Sequence, residues 1–227
     1  MDALKPSSTS PFSAFLPLLI AGVLLAGSAL AGSALAGSAL AGSALAAGSA
    51  ESGKVKSVTC SACHGMDGNS LNPEWPSIAG QHESYLINSL NSFKSGARQN
   101  VLMTGMAMPL SDEDINDLAA YFAAQKPAPK VADPALATAG ERLYRGGNKD
   151  SGVPACLACH GPTGLGNPAA GWPTIAGQHA PYTVAQLKAY RAKERSTDGD
   201  TQMMRNVSTL LTDDEIKAVT SYIQGLR

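Results

Sequence analysis

The pentapeptide Cys-x-x-Cys-His occurs twice in this chain, at residues 60–64 and 156–160, and its surroundings repeat with it. Trp75-Pro76-Ser77-Ile78-Ala79-Gly80-Gln81-His82 returns as Trp172-Pro173-Thr174-Ile175-Ala176-Gly177-Gln178-His179 at an offset of 97. Leu110-Ser111-Asp112-Glu113-Asp114-Ile115 returns as Leu211-Thr212-Asp213-Asp214-Glu215-Ile216 at an offset of 101. Such a duplication restricts the chain to two copies of one small unit, and any site must occur once in each copy. The Pro-rich segment 126–134 lies between them as a stiff, helix-free linker. The expected domains are therefore residues 47–125 and 135–227.

Within each copy the apolar spacing is helical. Leu86, Ile87, Leu90 and Phe93 share one face of a helix expected over 81–95, and Val184, Leu187 and Tyr190 do the same in the second copy. Ser111 with Asp114, and Thr212 with Glu215, form capping-box patterns. The helices that follow present Ile115, Leu118, Ala119 and Phe122, then Ile216, Val219 and Ile223, to a core. No stretch alternates at period two for long, so the fold class is all-α. The pairs Gly65/Gly68 and Gly161/Gly164 read as turns. Each unit of about 85 to 95 residues is small for a self-sufficient apolar core. A large apolar group could complete it.

The first fifty residues behave differently. From Pro6 to Ala50 there is no charged side chain, and residues 12–25 form an apolar core of export-signal length, preceded by Lys5. Four copies of AGSAL follow over 26–45. Residues 1–46 read as an export signal cleaved before Ala47, with a retained membrane anchor as the alternative. Past this point, residues 47–129 carry five Lys/Arg against eight Asp/Glu, and residues 130–227 carry eleven against nine. Neither half is basic enough to suggest nucleic acid.

Export would ordinarily turn four cysteines into two disulfides. The spacing argues otherwise. A Cys₄ zinc site would split one site between two complete copies, and a thioredoxin-like dithiol needs a strand-helix context that these units lack. Covalent haem attachment alone uses all five positions of the motif. Thiols at i and i+3 on one turn of helix face the same way, so Cys60 with Cys63, and Cys156 with Cys159, can each form two thioethers to one macrocycle. His64 and His160 then meet the iron. Two covalent haem c groups are expected, and no disulfide.

The sixth iron ligand separates a carrier from an enzyme, because a methionine thioether closes the site and favours Fe(II). Of the seven Met, only Met103 and Met204 stand in register, each nine residues before a matching Asp, Asp112 and Asp213. Met106 is the runner-up in the first half, and Met108, which precedes Pro109, keeps a claim. His82 and His179 could in principle ligate. Their place just ahead of a helix suits packing or hydrogen bonding at the haem edge better, where Trp75, Tyr85, Trp172 and Tyr182 could also direct polar tips at a propionate.

With CSACHGMDGNS, IAGQH, LMTGM before PLSDED, YFAAQK, ADPAL, GVPACLACH, DGDTQMMR and SYIQGLR in place, the chain from about residue 47 to 227 resembles the dihaem cytochromes c4. The resemblance implies two tandem class I cytochrome c domains related by approximate twofold symmetry, each with His/Met ligation by Met103 and Met204. It further implies haem propionates meeting at the domain interface, and electron carriage in the bacterial periplasm or at its membrane surface. The implied partners are a terminal oxidase and an upstream quinol-oxidising complex or other donor. A dihaem subunit of a flavin-containing dehydrogenase is one alternative. A dihaem peroxidase, which would need an open iron, is another. The AGSAL tract is a departure from the family pattern.

Overall fold

Ten α-helices, five in each half, make up the regular structure among the described residues of the computed structural model, which are 48–227. The expected export signal and the start at Ala47 lie outside them. Among the described residues there are two isolated β-bridges and no strand, in agreement with the all-α expectation. No helix of the described residues is long and apolar enough to cross a membrane.

The first half contains α1 (Ala50–Lys56), α2 (Val58–His64), α3 (Glu83–Ser95), α4 (Val101–Ala107) and α5 (Asp112–Ala123). The second contains α6 (Pro134–Gly146), α7 (Leu157–His160), α8 (Ala180–Arg191), α9 (Met203–Leu210) and α10 (Asp213–Gly225). The first and last helices of each half cross in contact, α1 on α5 and α6 on α10. A glycine makes each crossing. A Cβ on Gly53 would stand 2.0 Å from the Asp117 carbonyl oxygen, and one on Gly140 would stand 2.2 Å from that of Ala218. No side chain fits there, so both helices carry a residue of poor helix propensity at the point of closest approach.

Both capping boxes form as expected. Asp114 N donates to Ser111 Oγ at 3.1 Å while Ser111 N donates to the Asp114 carboxylate at 2.9 Å, and Thr212 with Glu215 repeats the exchange. Each cap is worth about 1 kcal/mol. They start α5 and α10, which present Ile115, Leu118 and Phe122, then Ile216, Val219 and Ile223, to their cores. The two cores differ in extent. The first is a small cluster of Leu86, Leu118, Ala119 and Phe122, whereas the second joins Leu143, Tyr144 and Val153 to Leu187, Leu211, Ile216, Val219 and Ile223.

The segment between the halves is helix-free, but it ends one residue earlier than the sequence pattern suggests. Pro134 opens α6, with Asp133 as its N-cap. Proline's fixed φ and missing N–H suit the first helical turn. The segment is also strapped down. Lys130 Nζ donates to Gly177 O at 2.7 Å and to Ser77 Oγ at 3.1 Å, one partner in each half. Similarly, α3 begins at Glu83 instead of residue 81, because Gln81 and His82 are engaged elsewhere.

Candidate haem-binding site

In the first half the pentapeptide closes α2, and in the second it forms the single turn of α7 with Cys156 as N-cap. Residues three apart on a helix share a face, which places both thiols of a pair together. Gly65 and Gly161 follow at φ 80° and 75°, in the left-handed region, and turn the chain away immediately after each histidine.

His64 and His160 are buried, 7% and 9% exposed. Each imidazole donates from Nδ1 to a proline carbonyl, at 2.8 Å to Pro76 and 3.0 Å to Pro173. A carbonyl can only accept, so Nδ1 carries the proton and Nε2 keeps its lone pair. Burial pushes both imidazoles below the ordinary histidine range, against the opposing pull of the carbonyls. A neutral ring with a fixed tautomer is the form that ligates a metal.

The thiols point the same way. Burial pushes Cys60 up, and Cys156 up to about 11. A redox-active dithiol requires the opposite shift. Among the described residues no three His, Cys, Asp or Glu side chains cluster as a protein-built metal site requires.

Both pentapeptides open onto one cavity of about 1550 Å³, walled by the two halves together. An ordinary small-molecule pocket holds about 300–1,000 Å³, so this space is large enough for two sizeable groups. Met103 and Met204 both line it, half-buried, and Met204 also packs against the second core. Met106 lines it as well but is 42% exposed, and Met108, 56% exposed, is outside the walls. Met203, 39% exposed, also lines it, its Sδ 3.8 Å from Cys159 Sγ.

Two buried arginines complete the cavity, Arg98 at 8% exposure and Arg195 at 6%. Each reaches into the other half: Arg98 donates to Tyr182 Oη at 2.8 Å and Arg195 donates to Tyr85 Oη at 2.8 Å. Gln186 Oε1 accepts from both, at 2.9 and 2.7 Å. Neither guanidinium meets a carboxylate among the described residues, although buried charges are nearly always paired. Their field is strong enough that the half-buried Tyr85 phenol, which desolvation alone would raise, is brought down to about 8. Two groups that are apolar in body and carry carboxylates at one edge fit this cavity in both respects, and haem is such a group. The tips of Tyr85 and Tyr182 accept hydrogen bonds from these arginines.

The arginines escaped the sequence reading, although Arg98 and Arg195 stand at the same offset of 97 as Tyr85 and Tyr182. His82 and His179 also differ from expectation. Neither lines the cavity; each N-caps its helix without a side-chain capping bond and reaches across the interface. His82 Nε2 is 2.8 Å from Leu165 O, and His179 Nε2 is 2.8 Å from Ser70 O. The neighbouring amides are reciprocal too. Gln81 brackets Thr174, accepting from its N at 3.0 Å and donating to its O at 2.8 Å, and Gln178 brackets Ser77 at 2.9 and 2.8 Å. The repeated Gly-Gln-His segment is thus a two-sided clasp between the halves.

The cytochrome c family model matches residues 41–126 and again 137–227, one domain per half. Together with the cavity and the paired pentapeptides this defines a c-type cytochrome with two covalent haem c groups, an electron-transfer protein. The chain is 50% identical to cytochrome c4 of Stutzerimonas stutzeri over 180 residues, 75% of this chain and 86% of the relative. It is 39% identical to the thiosulfate dehydrogenase electron acceptor of Thiomonas intermedia (strain K12) over 173 residues, 74% of this chain and 78% of the relative. The crystal structure of reduced recombinant cytochrome c4 from Pseudomonas stutzeri superposes with a TM-score of 0.78 at 50% identity, covering 80% of this chain and 100% of that one. The chain belongs to the cytochrome c4 family.

Proposed function

We propose that this chain is exported to the bacterial periplasm and carries single electrons from a quinol-oxidising complex or other donor toward a terminal oxidase, as two His/Met-ligated domains. The domains are residues 47–125 and 135–227, joined by 126–134, with 1–46 as the export signal. Cys60, Cys63, Cys156 and Cys159 anchor the haems; His64 and Met103 are the axial ligands in the first domain, His160 and Met204 in the second. One observation carries this reading. Each half contributes a buried histidine with an unprotonated Nε2 and its register-paired methionine to the same cavity.

When bound, haem supplies a one-electron couple at iron, with a potential raised by a thioether ligand. The chain's own residues do the rest. The Pro76 and Pro173 carbonyls hold the Nδ1 protons of the two histidines, Met103 and Met204 would each supply a thioether ligand that excludes water and peroxide from the iron, and Arg98 and Arg195 supply positive charge at the interface.

An optical spectrum of the oxidised protein tests this. The weak red-end charge-transfer band of methionine sulfur on low-spin ferric haem should be present at an intensity corresponding to both haems. A high-spin signature at either haem would overturn the ligand set and favour the peroxidase reading.

The likeness to a thiosulfate dehydrogenase electron acceptor favours a second reading of the donor side, in which a dehydrogenase in place of a quinol-oxidising complex fills the first position. A place as the dihaem subunit of a flavin-containing dehydrogenase is the alternative that the sequence resemblance leaves for that partner. Copurification with a flavoprotein, against reduction by a membrane quinol oxidoreductase, distinguishes the two.

A further inference from the structure

The proline that holds each axial histidine is followed at once by the residue the clasp holds. Pro76 C=O accepts from His64 Nδ1 at 2.8 Å, and the N–H of the same peptide group, that of Ser77, donates to Gln178 Oε1 at 2.9 Å. The arrangement recurs with the halves exchanged: Pro173 C=O accepts from His160 Nδ1 at 3.0 Å, and Thr174 N donates to Gln81 Oε1 at 3.0 Å. One peptide plane therefore lies between each histidine and an amide from the opposite domain.

A hydrogen bond on the N–H side of a peptide polarises it and makes its carbonyl a better acceptor. A better acceptor draws the Nδ1 proton more strongly and makes Nε2 a more basic ligand, which favours Fe(III). From this geometry we infer that Gln178 and Gln81 are positioning residues which lower the reduction potential of the haem in the domain opposite their own. The inference rests on His64 and His160 being axial ligands, and the clasp then ties each domain's docking to the other's potential. The same amides also donate to Ser77 O and Thr174 O, which keeps the acceptor oxygen oriented.

The test uses the full dihaem protein and Gln178→Leu, Gln81→Leu and His82→Ala variants. His82→Ala removes a cross-domain bond of 2.8 Å to Leu165 O and a longer contact of 3.4 Å to Thr174 Oγ1, while leaving both glutamine–peptide hydrogen bonds in place. Both potentials are measured by redox titration, with each haem's methyl resonances used to assign them, and the Nδ1–H resonances of His64 and His160 are followed in the reduced state. Gln178→Leu should raise the potential of the first-domain haem more than that of its own and shift only the His64 Nδ1–H resonance. Gln81→Leu should do the converse, and His82→Ala should do neither. Gln178→Asn, with a shorter amide, should give a smaller shift of the same sign and serves if the leucine variant folds poorly. Potentials that stay put, or that move alike in all variants, would overturn the inference while a normal methionine-sulfur band leaves the ligand set standing. A wild-type spectrum without histidine-methionine character would overturn both.

Discussion

Lys56 Nζ lies 2.6 Å from the carboxylate of Asp117, whose side chain is 5% exposed, at the crossing of α1 and α5. The second domain has nothing comparable, since Ala218 occupies the matching place beneath Gly140 and Leu143 is buried in the core. Asp114 joins the pair at 2.8 Å, and Asp117 also accepts from Ser49 N at 2.6 Å.

This asymmetry predicts where acid acts first. Hydrogen bonds from Lys56 hold both carboxyls below the usual carboxylate range, assisted by Ser111 for Asp114 and by Ser49 for Asp117. A carboxylate whose pKa is depressed on folding stabilises fully above its unfolded value near 4, and that contribution disappears as pH falls through the folded value. Below about pH 4 the α1 amides should therefore lose hydrogen-exchange protection before those of α6. Asp117→Asn should reduce the pH dependence of that difference, and Asp114→Asn/Asp117→Asn should remove it. Equal acid loss in α1 and α6 of the unaltered protein would contradict the assignment.

The crossing glycines give a prediction of unusual sign. Gly→Ala inside a helix ordinarily stabilises by about 1 kcal/mol. At Gly53 or Gly140 the added methyl would meet backbone oxygen at 2.0 or 2.2 Å, and overpacking costs about 1–3 kcal/mol or more. Each variant should lower the thermal midpoint and release the helix pair of its own domain, read by exchange of α1 and α5 amides for Gly53→Ala and of α6 and α10 amides for Gly140→Ala. A raised midpoint would show that the crossing relaxes without cost.

The parts of this molecule that were legible in the sequence depend on local spacing. Thiols at i and i+3, apolar stripes on α3, α5 and α10, and the boxes Ser111/Asp114 and Thr212/Glu215 are all set within one or two helical turns. The clasp was not legible, because Gln81 with Thr174 and Gln178 with Ser77 join residues 93 and 101 positions apart. His82 and His179 were placed at the haem edge for the same reason, since their partners Leu165 and Ser70 are 83 and 109 positions away. The clue was the duplication. A polar Gln-His pair repeated intact beyond the cysteine motif needs a symmetric partner, and the opposite copy supplies it.

Removing one haem should unequally affect the two domains. The first core consists of Leu86, Leu118, Ala119 and Phe122, while the second is a continuous group of eight residues. A unit of this size is marginal without added burial. The Cys60→Ala/Cys63→Ala variant should lose most of the helical signal of its own half and become protease-sensitive between α2 and α5. The corresponding Cys156→Ala/Cys159→Ala variant should retain more of its helix. Circular dichroism and limited proteolysis make the comparison, and undiminished helix in the first variant would show that the apolar core suffices.

The ligand assignment makes the sharpest prediction, because Met103 and Met204 are each one residue among several candidates. Both line the cavity half-buried, whereas Met108 is outside it and Met106 is more exposed. Imidazole stabilises Fe(III) more than a thioether does. Met103→His should therefore lower the potential of the first haem, and Met204→His that of the second, by more than the ~59 mV that marks a tenfold change in a one-electron equilibrium. The red-end sulfur band should fall by half in either variant and vanish in the double variant. Met106→Leu is the control, for it removes the rival sulfur from the same wall and should leave both potentials and the band unchanged. Loss of the band in Met106→Leu, with retention in Met103→His, would transfer the first ligand from residue 103 to residue 106 and place the two domains out of register at the one position where the duplication most requires them to agree.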